Sequence, residues 1–131
     1  MKKMIFIFLT LMIVLLPLKI SIAAGTVKVV TTLTDYAYFA KEIGKEKVEA
    51  TAICQGDENA HFVRPKPSFV TLCQKADLFI GTGLDLELWV PDMLEKSANK
   101  NIMSGQPGYV AAADGVKTLE IPTVLSRSEG G

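Results

Sequence analysis

The stretch TVKVVTTLTDYAYFAKEIG, running from Thr26 to Gly44, decides the fold. Thr26 to Thr32 is β-branched apart from Lys28. Branched side chains are stiff at χ1 and fit a pleated, buried surface, so this segment reads as a buried strand. From Leu33 the period changes. Apolar residues at Tyr36, Phe39, Ala40 and Ile43 recur at i, i+3, i+4 and i+7, which is one face of a helix over Leu33–Ile43. Thr34 or Asp35 is placed to cap its start, and Gly44 to end it. A buried strand that runs directly into an amphipathic helix opens a βαβ unit.

The same alternation continues down the chain. Val48–Cys54 (VEATAIC) reads as a second strand. Gln55 to Pro65 is a polar loop. Lys66–Ala76 reads as a helix with Pro67 in its first turn and Phe69, Val70, Cys73 and Ala76 inward. Asp77–Ile80 is a third, short strand, and Gly81-Thr82-Gly83 turns the chain. Leu84 to Trp89 reads as a turn that seats Leu86 and Trp89 on apolar neighbours. Leu88–Ala98 reads as one helix, with Pro91 tolerated in its first turn. Asn101 to Gly108 is rich in turn residues, Tyr109–Ala112 and Thr118–Ile121 are strand candidates, and Ser126–Gly131 is polar. This pattern predicts an α/β lobe in three layers, with a mainly parallel sheet flanked by helices. Ligands on such sheets bind outside the carboxyl ends of the strands. The Gly81-Thr82-Gly83 turn lies at that edge, but Leu84-Asp85-Leu86 replaces the rest of a dinucleotide fingerprint, so it is weak support for nucleotide binding.

Residues 1–23 read as a secretory signal peptide. Lys2 and Lys3 form a positive start, Met4 to Leu18 an apolar run, and Ser21-Ile22-Ala23 a small-x-small cleavage site. An uncleaved anchor is the alternative, though the run is short for a span. No cysteine follows it to carry a lipid. The expected location is periplasmic. Cleavage removes Lys2, Lys3 and Lys19 and no acid, leaving 11 basic against 14 acidic residues over 24–131. The resulting negative balance argues against a nucleic-acid partner.

Two groups of residues carry possible chemistry. His61 is the only histidine of the 131 residues, and it falls in the loop after the second strand, at the edge where a site is expected. Imidazole is the commonest neutral metal ligand. Asp57 or Glu58 would add a carboxylate beside it. The alternative is a ring satisfied by capping or core contacts. Cys54 and Cys73 are compatible with a disulfide in an exported protein, with two small buried thiols, or with a Cys–Cys–His metal site whose spacing fits no tight zinc knuckle.

The strand-plus-helix VKVVTTLTDYAYFAKEIG, the loop ENAHFVRPKPSFV, the run KADLFIGTGLDLELWVPDML and the later GQPGYVAAADGV together resemble one family over Val27–Gly131. It is the family of metal-binding solute receptors of bacterial ABC importers for zinc and manganese. Members usually read Asp-Pro-His at the loop, where this chain has Asn59-Ala60-His61. The resemblance implies two lobes joined by a long helix with the metal between them. It implies that His61 is the metal ligand of the N-terminal lobe, and that Zn²⁺ or Mn²⁺ is the transported ion. It implies delivery to the membrane permease of an ABC importer. Further ligands would come from later sequence, so residues 24–131 are expected to be an N-terminal lobe without its partner, as a truncated product, a fragment or half of a split gene.

The resemblance implies a binding protein rather than an enzyme, and a lone histidine without a nucleophile elbow agrees. Two alternatives stay open. One is a small exported hydrolase or redox protein that pairs Cys54 or Cys73 with His61, which requires an accessible thiol of low pKa. The other is a non-functional truncated remnant.

Overall fold

The computed structural model describes residues 25–118. Residues 1–23, read as a signal peptide, lie outside them, as do Ser126–Gly131 and all of the candidate strand Thr118–Ile121 except Thr118. Among the described residues no helix is long and apolar enough to cross a membrane.

Four strands, β1 (Val27–Thr31), β2 (Val48–Ala52), β3 (Leu78–Gly81) and β4 (Tyr109–Ala111), form one sheet in the order β2-β1-β3-β4. Every pairing is parallel. The predicted strands therefore form within a residue or two of their expected ends. The β2 ladder also runs on past the strand, because the amides of Ile53 and Cys54 donate to the carbonyls of Thr31 and Thr32 at 2.8 and 2.9 Å.

Three helices cover the sheet: α1 (Thr34–Gly44), α2 (Pro67–Gln74) and α3 (Val90–Ser97). Helix α1 takes one face, where Val29 and Ala50 are buried with Ala37. Helices α2 and α3 take the other. There Val30, Ile53 and Phe79 join Cys73, Met93, Leu94 and Ile102 in the larger core cluster. Strand residues alternate between the two cores, as the pleat requires. The three-layer α/β expectation holds.

The expected face of α1 is rotated. Phe39 and Ile43 are 56% and 85% exposed, while Ala37 is buried and Ala40 and Gly44 are half-buried against the sheet. Gly44 shows why. A Cβ there would lie 2.1 Å from Val48 Cγ2 and 2.6 Å from Val48 Cβ. Small side chains let the helix backbone approach the strand, and the larger apolar ones are left outside. The caps differ as well. The N-cap is Leu33, with no side-chain hydrogen bond, and the residue that takes positive φ after the helix is Lys45, at φ 48° and ψ −131°, not Gly44. A side chain at positive φ is strained. Lys45→Gly is therefore expected to raise stability by about 1 kcal/mol, even after the entropy a glycine adds to the unfolded chain. A urea titration reads this directly, and an unchanged or lower midpoint would show that Lys45 carries no strain.

Candidate metal-binding site

The loop after β2 is built turn by turn. Glu58 Oε2 accepts from the amide of Gln55 at 2.8 Å, and the amide of Glu58 donates back to the carbonyl of Gln55 at 3.0 Å. Asn59 then caps a single 3₁₀ turn, Ala60–Phe62. Its Oδ1 accepts from the amide of His61 at 3.0 Å, and the amide of Phe62 donates to its carbonyl at 3.0 Å. The indole Nε1 of Trp89 donates to the carbonyl of Ala60 at 2.7 Å, a buried hydrogen bond that crosses from one edge loop to the next. His61 is thus held between a pinned, buried Ala60 and an exposed Phe62. The residue as a whole is half-buried, and its Nδ1 lies 3.1 Å from Asn59 Oδ1 in an exposed contact.

His61 stands where the topology puts it, on the loop beyond the carboxyl end of β2. Of the two neighbouring acids, Asp57 is exposed and Glu58 already closes the turn. Among the described residues no three of His, Cys, Asp and Glu converge as a metal-holding group. The Cys–Cys–His alternative is therefore not met there.

Nor do the cysteines supply a bridge or a nucleophile. Both are buried free thiols, Cys54 at 4% exposure and Cys73 at 0%. Burial, then the negative charges of Glu58 and Glu87, pushes the Cys54 thiol up to about 11. Burial alone pushes Cys73 up to about 12. A reactive thiol needs the opposite environment, exposed and electropositive. The thiol–histidine hydrolase or redox reading lacks its nucleophile.

One organising residue escaped the sequence reading. Glu87 is only 6% exposed, and its Oε1 accepts from Thr32 Oγ1 at 2.7 Å and from the amide of Thr82 at 3.2 Å. Tyr36 in turn donates to Thr82 Oγ1 at 3.1 Å. The carboxylate ties the ends of β1 and β3 together. It is brought inward by a turn in which Gly83, Leu84 and Asp85 all take positive φ, at 84°, 53° and 59°. The only hint in the sequence is an acid between Leu86 and Leu88 in an otherwise apolar run. Glu87→Ala leaves two inward donors unpaired and is expected to lower stability by about 2–4 kcal/mol. Glu87→Gln keeps an acceptor oxygen and is expected to lose under half as much. Equal urea midpoints for the two variants would count against the tie.

The geometry can be set beside known proteins. The sequence profile of the family described as "ZnuA: Zinc-uptake complex component A periplasmic" matches residues 29–130. The chain belongs to this family. The high-affinity zinc uptake system protein ZnuA of Bacillus subtilis (strain 168) is 32% identical over 92 residues, which are 70% of this chain and 27% of that protein. The manganese ABC transporter substrate-binding lipoprotein PsaA of Streptococcus pneumoniae is 32% identical over 101 residues, 74% of this chain and 31% of that one. Among solved structures, the metal-dependent lipoprotein YcdH of Bacillus subtilis superposes with a TM-score of 0.58 at 28% identity, over 72% of this chain and 34% of its own. This chain therefore spans about a third of the length of the ZnuA-family proteins it matches, as a single lobe. By name, the first of those relatives is a zinc uptake system protein and the second a manganese ABC transporter substrate-binding lipoprotein.

Proposed function

We propose that this chain is the N-terminal lobe of an exported receptor that captures Zn²⁺ or Mn²⁺ and delivers it to the membrane permease of an ABC importer. Residues 1–23 act as the signal peptide, the product works in the periplasm, and His61 is a metal donor. The observation that carries the reading is the placement of the single imidazole at the carboxyl edge, in a family whose members are metal receptors. The acids near this edge agree. Beside burial, Glu58 and Glu87 act on the Cys54 thiol and Glu87 and Asp114 on the Tyr109 hydroxyl, so carboxylates as well as the imidazole lie along this edge. The chemistry asked of the lobe is binding alone, with no bond made or broken.

A complete zinc site takes about four donors. His61 supplies one, so the others come from a second lobe, in sequence outside the described residues or in another polypeptide. Metal stabilises a fold only by RT ln(1 + [L]/Kd), so micromolar metal should barely move the melting temperature of residues 24–131. Calorimetric titration of residues 24–131 with Zn²⁺ and Mn²⁺ is expected to show weak binding, absent in His61→Ala. Tight stoichiometric binding that survives His61→Ala would overturn the site.

A further inference from the structure

We propose that Asn59 is the positioning residue of this site: it fixes the proton of the neutral His61 ring on Nδ1 and leaves the lone pair on Nε2 as the metal-donating atom. The proposal rests on His61 being a donor, and it concerns which atom donates and what sets that choice.

One side-chain atom of Asn59 meets two nitrogens of the same residue, the His61 backbone nitrogen at 3.0 Å and Nδ1 at 3.1 Å. A backbone N–H only donates. The Asn59 atom facing it must then be the carbonyl oxygen of the amide and not its NH₂, which settles the orientation that an amide otherwise leaves open. An amide oxygen only accepts. For the second contact to be a hydrogen bond, Nδ1 must carry the proton, and in a neutral imidazole the lone pair then sits on Nε2. A free histidine side chain prefers the opposite tautomer, so this choice is imposed by the partner on the other nitrogen. Histidines that ligate metals characteristically donate their second ring N–H to an oxygen in this way, which fixes tautomer and ring orientation before the ion arrives.

Asn59 is itself held. It is the cap of the 3₁₀ turn Ala60–Phe62, at φ −74° and ψ 114°, and its carbonyl receives the Phe62 amide at 3.0 Å. Trp89 pins the carbonyl of Ala60 between the two residues at 2.7 Å. The oxygen is therefore presented to Nδ1 by a fixed stretch of main chain.

The test reads the ring directly. The chain has one histidine, so the imidazole signals of the ¹⁵N-labelled full chain belong to His61 without assignment. At about pH 8, above the ordinary imidazole range, long-range ¹H–¹⁵N correlation of the metal-free chain is expected to show protonated Nδ1 and unprotonated Nε2. Asn59→Ala is expected to revert towards Nε2–H. Asn59→Asp keeps an acceptor oxygen at the same place and should retain Nδ1–H. On titration with Zn²⁺ the wild-type shift should be largest at Nε2, and Asn59→Ala should bind about 10-fold or more weakly, with Asn59→Asp restoring binding. An Nε2–H tautomer in the wild type overturns the assignment without reference to any variant's folding. A tautomer unmoved in a folded Asn59→Ala, or Zn²⁺ bound through Nδ1, does the same. If the tautomers behave as expected and Zn²⁺ leaves the ring untouched, the positioning by Asn59 stands and the reading of His61 as a metal donor fails.

Discussion

Raising the pH from 9 towards 11 is expected to unfold this lobe, and two thiols account for much of the effect. Cys54 and Cys73 are 4% and 0% exposed; burial, joined for Cys54 by the charges of Glu58 and Glu87, carries them from an ordinary 9.0 to about 11 and about 12. In the unfolded chain both ionise near 9. In the folded chain both stay protonated to higher pH. The unfolded state thus binds fewer protons above pH 9, and stability falls as pH rises. The contribution is fully present below 9 and is lost as pH climbs through the folded values. Each thiol lowers stability by about 1.4 kcal/mol per pH unit over that window. Together they remove several kcal/mol by about pH 11, against a typical total of about 5–15 kcal/mol for a domain. Urea midpoints should hold from pH 7 to about 9 and then fall towards 10.5 with a slope approaching two protons from the thiols, to which the raised Tyr109 adds. Cys73→Ala will be less stable at neutral pH because of its cavity, but its slope should drop by about one proton. A slope unchanged in that variant would place the alkaline sensitivity elsewhere.

The same two residues show what the sequence could and could not tell. Their inward direction was legible, because Cys73 falls in register with Phe69, Val70 and Ala76 on one face of α2. Whether they were bridged was not, since pairing depends on distances that spacing along the chain does not contain. The strands were legible for a related reason: a β-branched run such as Thr26–Thr32 fits only a pleated, buried surface. The buried face of α1 was not. Periodicity weighs large apolar residues, and here Tyr36, Phe39, Ala40 and Ile43 outweighed Ala37 and Gly44. Close approach to Val48 selects the small residues instead, and only the packed strand reveals that constraint. At the site, His61 stood out as a lone imidazole in the loop where topology places ligands. Its supporting residues did not. Asn59 is one polar residue among several in the loop Gln55 to Pro65. Glu87 meets Thr32 across 55 residues and Trp89 meets Ala60 across 29, and nothing local in the sequence announces such contacts.

Trp89 links that hidden support to function, and two substitutions separate its parts. The side chain is 8% exposed and lies in the larger core cluster, so Trp89→Ala removes both packing and a hydrogen bond. The expected loss is about 3–5 kcal/mol, enough to leave a small domain marginal at 37 °C. Trp89→Phe keeps most of the ring and removes the N–H. It leaves the carbonyl of Ala60 without the donor 2.7 Å away, in a buried position, and is expected to lose about 1–3 kcal/mol. The informative difference is local. Ala60 is the residue before His61, and its carbonyl is the anchor between Asn59 and the imidazole. In Trp89→Phe the 3₁₀ turn Ala60–Phe62 should open more often than the sheet does, so the Phe62 amide, bonded to Asn59, should exchange faster while the β1 and β3 amides change only with global stability. On the proposed reading of His61 as a metal donor, a loop that samples several geometries would hold its imidazole in the right one for less of the time, and apparent metal affinity would fall by that fraction. Hydrogen exchange on the two variants, normalised to urea stability, decides the matter. If the Phe62 amide in Trp89→Phe slows or speeds only in step with the sheet, the indole serves packing alone and the His61 loop is held by Asn59 and Glu58.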